Sequence, residues 1–269
     1  MIRLAIRVER ADAEIALAEL LVLAPHGLEE SELPDGRIEY AIYGAAGEVP
    51  ELPALEAAVA GRLVEICTSE VPDDWSERWR EFHRAQLVAG ELWVRPPWDP
   101  PAAAGLLDVA IEPAQAFGTG AHPTTRLCLE LLCALPERAG PLLDVGCGSG
   151  VLAIAAARLG FDPITAVDHE RESVKATREN AQLNGVDVAV GRLDLRCDAV
   201  PEAPTILANL LLPLLLALSA RIESPPRTLI AGGLLAGQVD AVAAAFGERH
   251  GMHERERRHE GEWAALLLE

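Results

Sequence analysis

The stretch PLLDVGCGSGVLAIAAARLG, residues 141–160, holds the residues whose types and spacing speak most directly of chemistry. An apolar run ends in Asp144, glycine recurs at Gly146, Gly148 and Gly150, and a helix-forming run follows. Glycines in such a loop permit positive φ and let the backbone approach a ligand with no Cβ in the way. A pyrophosphate seated on a helix N-terminus calls for the spacing G-x-G-x-x-G. Here the third glycine comes one residue early, as D-x-G-x-G-x-G. That variant suits a ligand without phosphate, the amino-acid part of S-adenosylmethionine, with its carboxylate near the helix start. The next apolar run, PITAVDHE, reaches Asp168, 18 residues beyond Gly150. A carboxylate at that strand end can accept hydrogen bonds from both ribose hydroxyls. Loop, helix and acid together point to a nucleoside cofactor. NAD, which also requires an acid there, is the alternative ligand.

A second candidate lies in ILANLLLPLLLAL, residues 206–218, where Asn209 and Pro213 interrupt a leucine-rich run. The run is too short to span a bilayer, which needs roughly twenty apolar residues. Asn209 stands just past the carboxyl end of the strand-like TILA, and such strand ends face the ligand crevice of an α/β sheet. Pro213 falls near the start of the following helix, where its missing N–H costs little. The surrounding leucines are then expected to be buried strand and helix, with the amide as the group the crevice sees.

The elements that must hold these residues are legible in the periodicity. From residue 106 onward, strand-like runs at 141–145, 163–167, 186–190, 204–208 and 226–231 alternate with helical stretches such as VLAIAAARLG and RESVKATRENAQLNG. The end, MHERERRHEGEWAALLLE, leaves no room for a helix between its last two extended runs, which should pair as antiparallel neighbours. The prediction is an α/β fold, a seven-stranded doubly wound, Rossmann-like sheet with five parallel strands. Residues 1–70 read separately as β-α-β-β-α-β, the order of a ferredoxin-like α+β domain, with the turn signal PDG between its second and third strands. Between them, PDDWSERWREFHR spaces Trp75, Trp79 and Phe82 on one helical face, and WVRPPWDPP is proline-rich. Residues 71–95 are therefore assigned to a linker helix and hinge, and 96–269 to the cofactor-binding domain.

Composition narrows the function classes. At 269 residues with half of them hydrophobic, the chain can bury two cores. A formal charge of −19 displays no basic face for a phosphate backbone and favours cationic partners such as basic proteins. Lys175 is the one lysine, which leaves a single candidate for a catalytic amine. Cys67, Cys128, Cys133, Cys147 and Cys197 are odd in number with no C-x-x-C pair, as expected of reduced thiols in a cytoplasm. The N-terminus lacks the apolar core of a signal peptide. His250 and His253 make an H-x-x-H with His259 near, but no acidic or cysteine set is expected to converge with them, so no metal site is expected.

AFGTGAHPTTRLCLELL, followed by LLDVGCGSGVLAIAAARLG, AVDHE, LANLL and EGEW, closely resembles the ribosomal protein L11 methyltransferase family (PrmA), within the class I S-adenosylmethionine-dependent methyltransferases. The similarity runs through the catalytic domain and extends to the tryptophan-rich helix and WVRPPW. The FGTGxHxTT segment is more specific than the glycine loop. The resemblance implies S-adenosylmethionine bound at the positions of Thr125, Gly146, Asp168 and Asn209, with Gly148 in the loop and with Phe117 and Thr119 in the preceding segment. Phe117 would offer an aromatic wall, Gly118 and Gly120 a tight turn, and Pro123 a helix start that places the Thr124 and Thr125 hydroxyls in its first turn. His122 is expected to act structurally at that helix start. Two positions depart from the family pattern: Gln115 where methionine is usual, and His169 where a second acid usually follows Asp168.

The implied activity is methylation of lysine or N-terminal amino groups of ribosomal protein L11, with the N-terminal unit recognising that substrate. Enzymes that methylate planar nitrogens commonly carry N-P-P-Y at the position of ANLL; the prolines and the ring are absent here, which suits an aliphatic amine. No catalytic acid or base is named. A small-molecule N-methyltransferase and a non-catalytic cofactor-binding or ribosome-associated module are the competing classes. A cytoplasmic monomer that contacts neither nucleic acid directly nor a membrane is expected.

Overall fold

The computed structural model describes residues 2–13, 16, 20, 29–44, 65–70, 84–113 and 122–269. Contacts divide the chain into two units, Met1–Phe82 and His83–Glu269.

In the first unit, alternation writes the sheet. Strand β1 (Ile2–Val8) turns Leu4, Ile6 and Val8 inward against Ile38, Tyr40 and Ile42 of β3 (Ile38–Gly44). Its opposite face carries Arg3 and Arg7, which both donate to the buried carboxylate of Glu39 on β3. The expected turn at 34–36 is present, with Gly36 at φ +86° joining β2 (Glu29–Glu32) to β3. With β4 (Glu65–Glu70), the sheet order is β2-β3-β1-β4, antiparallel at every pairing, which is the ferredoxin-like order. Ala13, Ala16 and Leu20, at helical spacing, are buried in the same core, and the Tyr40 hydroxyl donates to the Ala13 carbonyl at 2.9 Å. Most of the first expected helix, all of the second, and the run carrying Trp75, Trp79 and Phe82 lie outside the described residues.

The second unit begins with a small sheet that periodicity did not suggest: β5 (Gln86–Val88), β6 (Leu92–Arg95) and β7 (Leu107–Ala110). Arg95 organises the proline-rich segment by donating twice to the Asp108 carboxylate and also to the carbonyls of Pro96, Pro97 and Asp99. Residues 86–95, within the stretch read as a hinge, are thus strand and turn of this unit.

Its main sheet has seven strands, as expected. β8 (Leu142–Val145), β9 (Ile164–Asp168), β10 (Ala189–Arg192), β11 (Thr205–Asn209) and β12 (Thr228–Leu235) are parallel. β13 (Glu254–Glu260) and β14 (Trp263–Leu268) close it as the antiparallel hairpin. The order is β10-β9-β8-β11-β12-β14-β13. The chain winds outward one way from β8 and the other way from β11, so the topological switch lies between these strands, where a ligand crevice forms at the carboxyl ends.

Both faces of the sheet are covered. α1 (Pro123–Ala134) and α2 (Val151–Leu159) pack into one apolar cluster. α4 (Leu212–Arg221) and α5 (Val239–His250) pack into the other. α3 (Arg171–Asn184) follows β9 and ends at Gly185 in the left-handed conformation, as helix C-termini favour. One expectation needs correcting. The leucines around Asn209 are not uniformly buried: Leu215 and Leu218 are core, but Leu211 is 67% and Leu216 37% exposed. Beyond the end of β11 the chain leaves the core, and a single helix face can bury only part of so apolar a run. Among the described residues, no helix is long and apolar enough to cross a membrane.

Candidate functional site

The glycine loop leaves β8 with three left-handed glycines, Gly146 at φ +76°, Gly148 at +53° and Gly150 at +84°. The Gly146 and Cys147 amides both donate to the Val167 carbonyl, at 2.8 and 3.1 Å, which staples the loop to the end of β9. Space as well as conformation demands glycine. A Cβ on Gly146 would lie 2.3 Å from Leu210 Cδ2, and one on Gly150 2.8 Å from Thr177 Cγ2. Gly150 is also the N-cap of α2, so the positive end of that helix dipole faces the loop, as a ligand carboxylate would require.

Two aspartates flank the loop in different surroundings. Asp168 Oδ2 accepts from the Gly148 amide at 3.0 Å and Oδ1 from the Glu170 amide at 2.9 Å. Each carboxylate oxygen has a second lone pair, so the group can still accept from two hydroxyls. The half-exposed His169 ring sits 3.4 Å from Asp168 Oδ1, where the second acid was missing from the pattern. Asp144, by contrast, is fully buried beneath the loop. Its Oδ2 accepts from the Ala153 amide in the first turn of α2, and its Oδ1 has no hydrogen-bond partner among the described residues. Burial, with the Asp168 charge adding, pushes its carboxyl up to about 7.

Across the switch point, Asn209 ends β11 in register with Gly232 of β12. Its Nδ2 donates to Thr125 Oγ1 at 3.3 Å, joining β11 to the first turn of α1. Its Oδ1 is shielded from solvent and has no partner among the described residues. The Gly232–Gly233 pair makes this approach possible. A Cβ on Gly232 would meet Cys128 Sγ at 2.3 Å and Asn209 Oδ1 at 3.1 Å, and one on Gly233 would meet the Leu210 carbonyl oxygen at 2.5 Å. His122 has the structural position expected of it, the N-cap of α1. Nδ1 accepts from the Thr124 amide, and the ring meets Trp263 edge-to-face with centroids 4.8 Å apart. Burial lowers the His122 pKa and so favours the neutral ring.

Five of the seven candidate residues thus form two linked groups. Thr125 bonds Asn209, whose neighbour Leu210 packs on Gly146; Gly148 bonds Asp168. Phe117 and Thr119 lie outside the described residues. Leu210, the Gly232–Gly233 pair, Thr177 and Asn180 were not singled out. The glycine pair was findable, because glycine within a strand pattern marks close backbone approach. Asn180 was not, because its partners come from distant parts of the chain. These strand ends bring together acceptors on Asp168 and Asn209, glycines that leave room for close backbone approach, and the N-terminus of α2. That donor and acceptor set fits S-adenosylmethionine, whose amino group needs an acceptor such as Asn209 Oδ1 and whose ribose needs Asp168.

Over most of its length the chain is similar to one known family. The family model described as "Ribosomal protein L11 methyltransferase (PrmA)" matches residues 41–269. A ribosomal protein L11 methyltransferase of Heliobacterium modesticaldum is 34% identical over 259 residues, covering 90% of this chain and 81% of the relative. One from Synechococcus elongatus is 36% identical over 209 residues, covering 73% and 69%. Among solved structures, a ribosomal protein L11 methylase from Lactobacillus delbrueckii subsp. bulgaricus superimposes with a TM-score of 0.61 at 30% identity, covering 70% of this chain and 98% of that one.

Proposed function

Because this chain belongs to the ribosomal protein L11 methyltransferase family, we propose that it transfers methyl groups from S-adenosylmethionine to aliphatic amines of ribosomal protein L11, lysine or N-terminal. When bound, S-adenosylmethionine supplies a methyl activated by its sulfonium. The chain's own task is alignment, since in-line displacement needs nucleophile, methyl and sulfur on one axis. Gly146 and Gly148 admit the cofactor backbone-close, Asp168 takes the ribose hydroxyls, and Thr125 fixes the amide of Asn209. The observation that carries the reading is the solvent-shielded Asn209 Oδ1, an acceptor left without a partner at the same strand ends as the glycine loop. A buried acceptor without a donor costs about 1–3 kcal/mol, so its retention at a ligand crevice is best explained by a ligand donor.

The acceptor amine must be neutral to attack. Releasing its proton at pH 7 costs about 4.6 kcal/mol for a lysine and about 1–1.4 kcal/mol for an α-amine. Desolvation in the crevice lowers that cost without a dedicated base. With Nδ1 accepting from the Thr124 amide, the neutral His122 ring carries its proton on Nε2, so the nitrogen that could take a proton is the one that caps α1. The net charge of −19 draws a basic ribosomal protein toward the enzyme. The first unit is proposed as the substrate-recognising part. A metabolite acceptor, the alternative that the residues left open, has no observation in its favour. Incubation with purified L11 and isotopically labelled S-adenosylmethionine, followed by mass spectrometry, tests the assignment. Label on L11 amines is expected; a folded enzyme that binds cofactor yet leaves L11 unlabelled refutes it.

A further inference from the structure

Helix α3 presents a polar stripe to the interior, with Thr177, Asn180 and Asn184 all buried. The Thr177 hydroxyl donates to the Gly148 carbonyl at 2.9 Å, and Asn180 Nδ2 donates to the next carbonyl, that of Ser149, also at 2.9 Å. Two successive peptide planes of the glycine loop are therefore pinned from one helix. The other end of the Asn180 amide reaches elsewhere: Oδ1 accepts from the Glu112 amide at 2.9 Å, just beyond β7. One amide thus bridges the glycine loop to the stretch that leads into residues 114–121, the AFGTG segment. Asn184, one turn on, binds only the β7 side, through both the amide and the carbonyl of Ala110, along with the Asn180 carbonyl.

The partners fix the chemistry at position 180. It must offer a donor to a carbonyl and an acceptor to an amide within one short, planar group, which among side chains of this size only asparagine does. Ser149 is buried, so a residue without the donor forfeits a bond that water does not readily replace, and one without the acceptor releases the Glu112 amide from α3. Hydrophobic packing could have held α3 here more simply, as it does at Val174 and Ala181. What the amide adds is a fixed orientation of the loop relative to the strand exit, because hydrogen bonds are directional and apolar contacts are not.

We infer that Asn180 is a positioning residue for cofactor binding, acting through the Ser149 carbonyl and the Glu112 amide and touching neither cofactor nor substrate. The inference rests on the cofactor reading above. Its test is therefore referred to wild-type enzyme in the same titration, where absence of S-adenosylmethionine binding would count against that reading and not against Asn180. Calorimetric titration of Asn180→Ala with S-adenosylmethionine is expected to show at least a tenfold rise in Kd. Asn184→Ala, also at a buried position but bonded to Ala110 and the Asn180 carbonyl rather than to a loop carbonyl, should lower Tm while moving Kd less than threefold. Asn180→Asp keeps the acceptor for Glu112 and loses the donor to Ser149, so it should retain protection of the Glu112 amide from hydrogen exchange and still bind cofactor weakly. Equal Kd shifts in the two alanine variants, wild-type affinity in Asn180→Asp, or failure of both Asn180 variants to fold would each overturn the inference and assign the residue to stability alone.

Discussion

Replacing Gly232 with alanine asks whether the crevice is shaped by a single absent methyl group. Gly232 is buried opposite Asn209, and its φ carries no left-handed strain, so the effect of a side chain there is one of space. The new Cβ would lie 2.3 Å from Cys128 Sγ on α1, 3.1 Å from Asn209 Oδ1 and 3.5 Å from the Thr124 carbonyl oxygen. Overfilling a packed core typically costs about 1–3 kcal/mol. Cys128 is fully buried, so the sulfur has little room to yield. Cys128→Ala alone removes one buried atom and should cost about 1–2 kcal/mol. In the double variant the added methyl occupies space the sulfur has left, so the two costs should cancel in part, with a coupling of about 1–3 kcal/mol. Guanidinium unfolding of the four proteins measures that coupling. The approach to Asn209 Oδ1 persists in the double variant, so stability should recover while cofactor affinity, measured by calorimetry, stays several-fold weaker. Simple additivity of the two stability losses would refute the argument, because the overlap with Cys128 would then not be the cause.

Other outcomes follow from the same geometry. Asp144 has its carboxyl raised from 3.8 to about 7 by burial, so ionising it costs the folded state as pH rises through that window and no further above it. The wild type should lose about 2–3 kcal/mol relative to Asp144→Asn between pH 5 and pH 8, read from denaturation curves at each pH, and parallel pH profiles would contradict this. Asn209→Ala, which removes the orphaned acceptor and the bond to Thr125, should weaken cofactor binding tenfold or more; unchanged affinity and turnover would remove Asn209 from the site. Thr125→Val deletes the hydroxyl that receives the Asn209 amide and should cost about 0.5–1.5 kcal/mol of stability in thermal unfolding.

Local chemistry made much of the site legible before any coordinates. D-x-G-x-G-x-G states where backbone must turn left-handed and come close, and all three glycines do so. The strand-end positions of Asp168 and Asn209 follow from periodicity, because a parallel strand shows its length in an apolar run and its exit in the first polar group. The pairing of the last two strands followed from the lack of room for a crossover. The β5–β7 sheet was missed because its strands are three or four residues long and sit among prolines, where no periodicity can develop.

By itself the sequence determined features that depend on neighbours along the chain: the loop, the strand ends, the helix start at His122 and the order of elements in the main sheet. Tertiary structure alone decided features that depend on neighbours in space. It brought Leu210 against Gly146, set the Gly232–Gly233 pair under Asn209, and placed Asn180 between Ser149 and Glu112. It also left Leu211 exposed, although composition would have buried it. The physical reason is range. Backbone conformation and helix caps are settled within a few residues, whereas burial, steric exclusion and the pairing of buried polar groups are properties of surfaces that meet only when the sheet has closed.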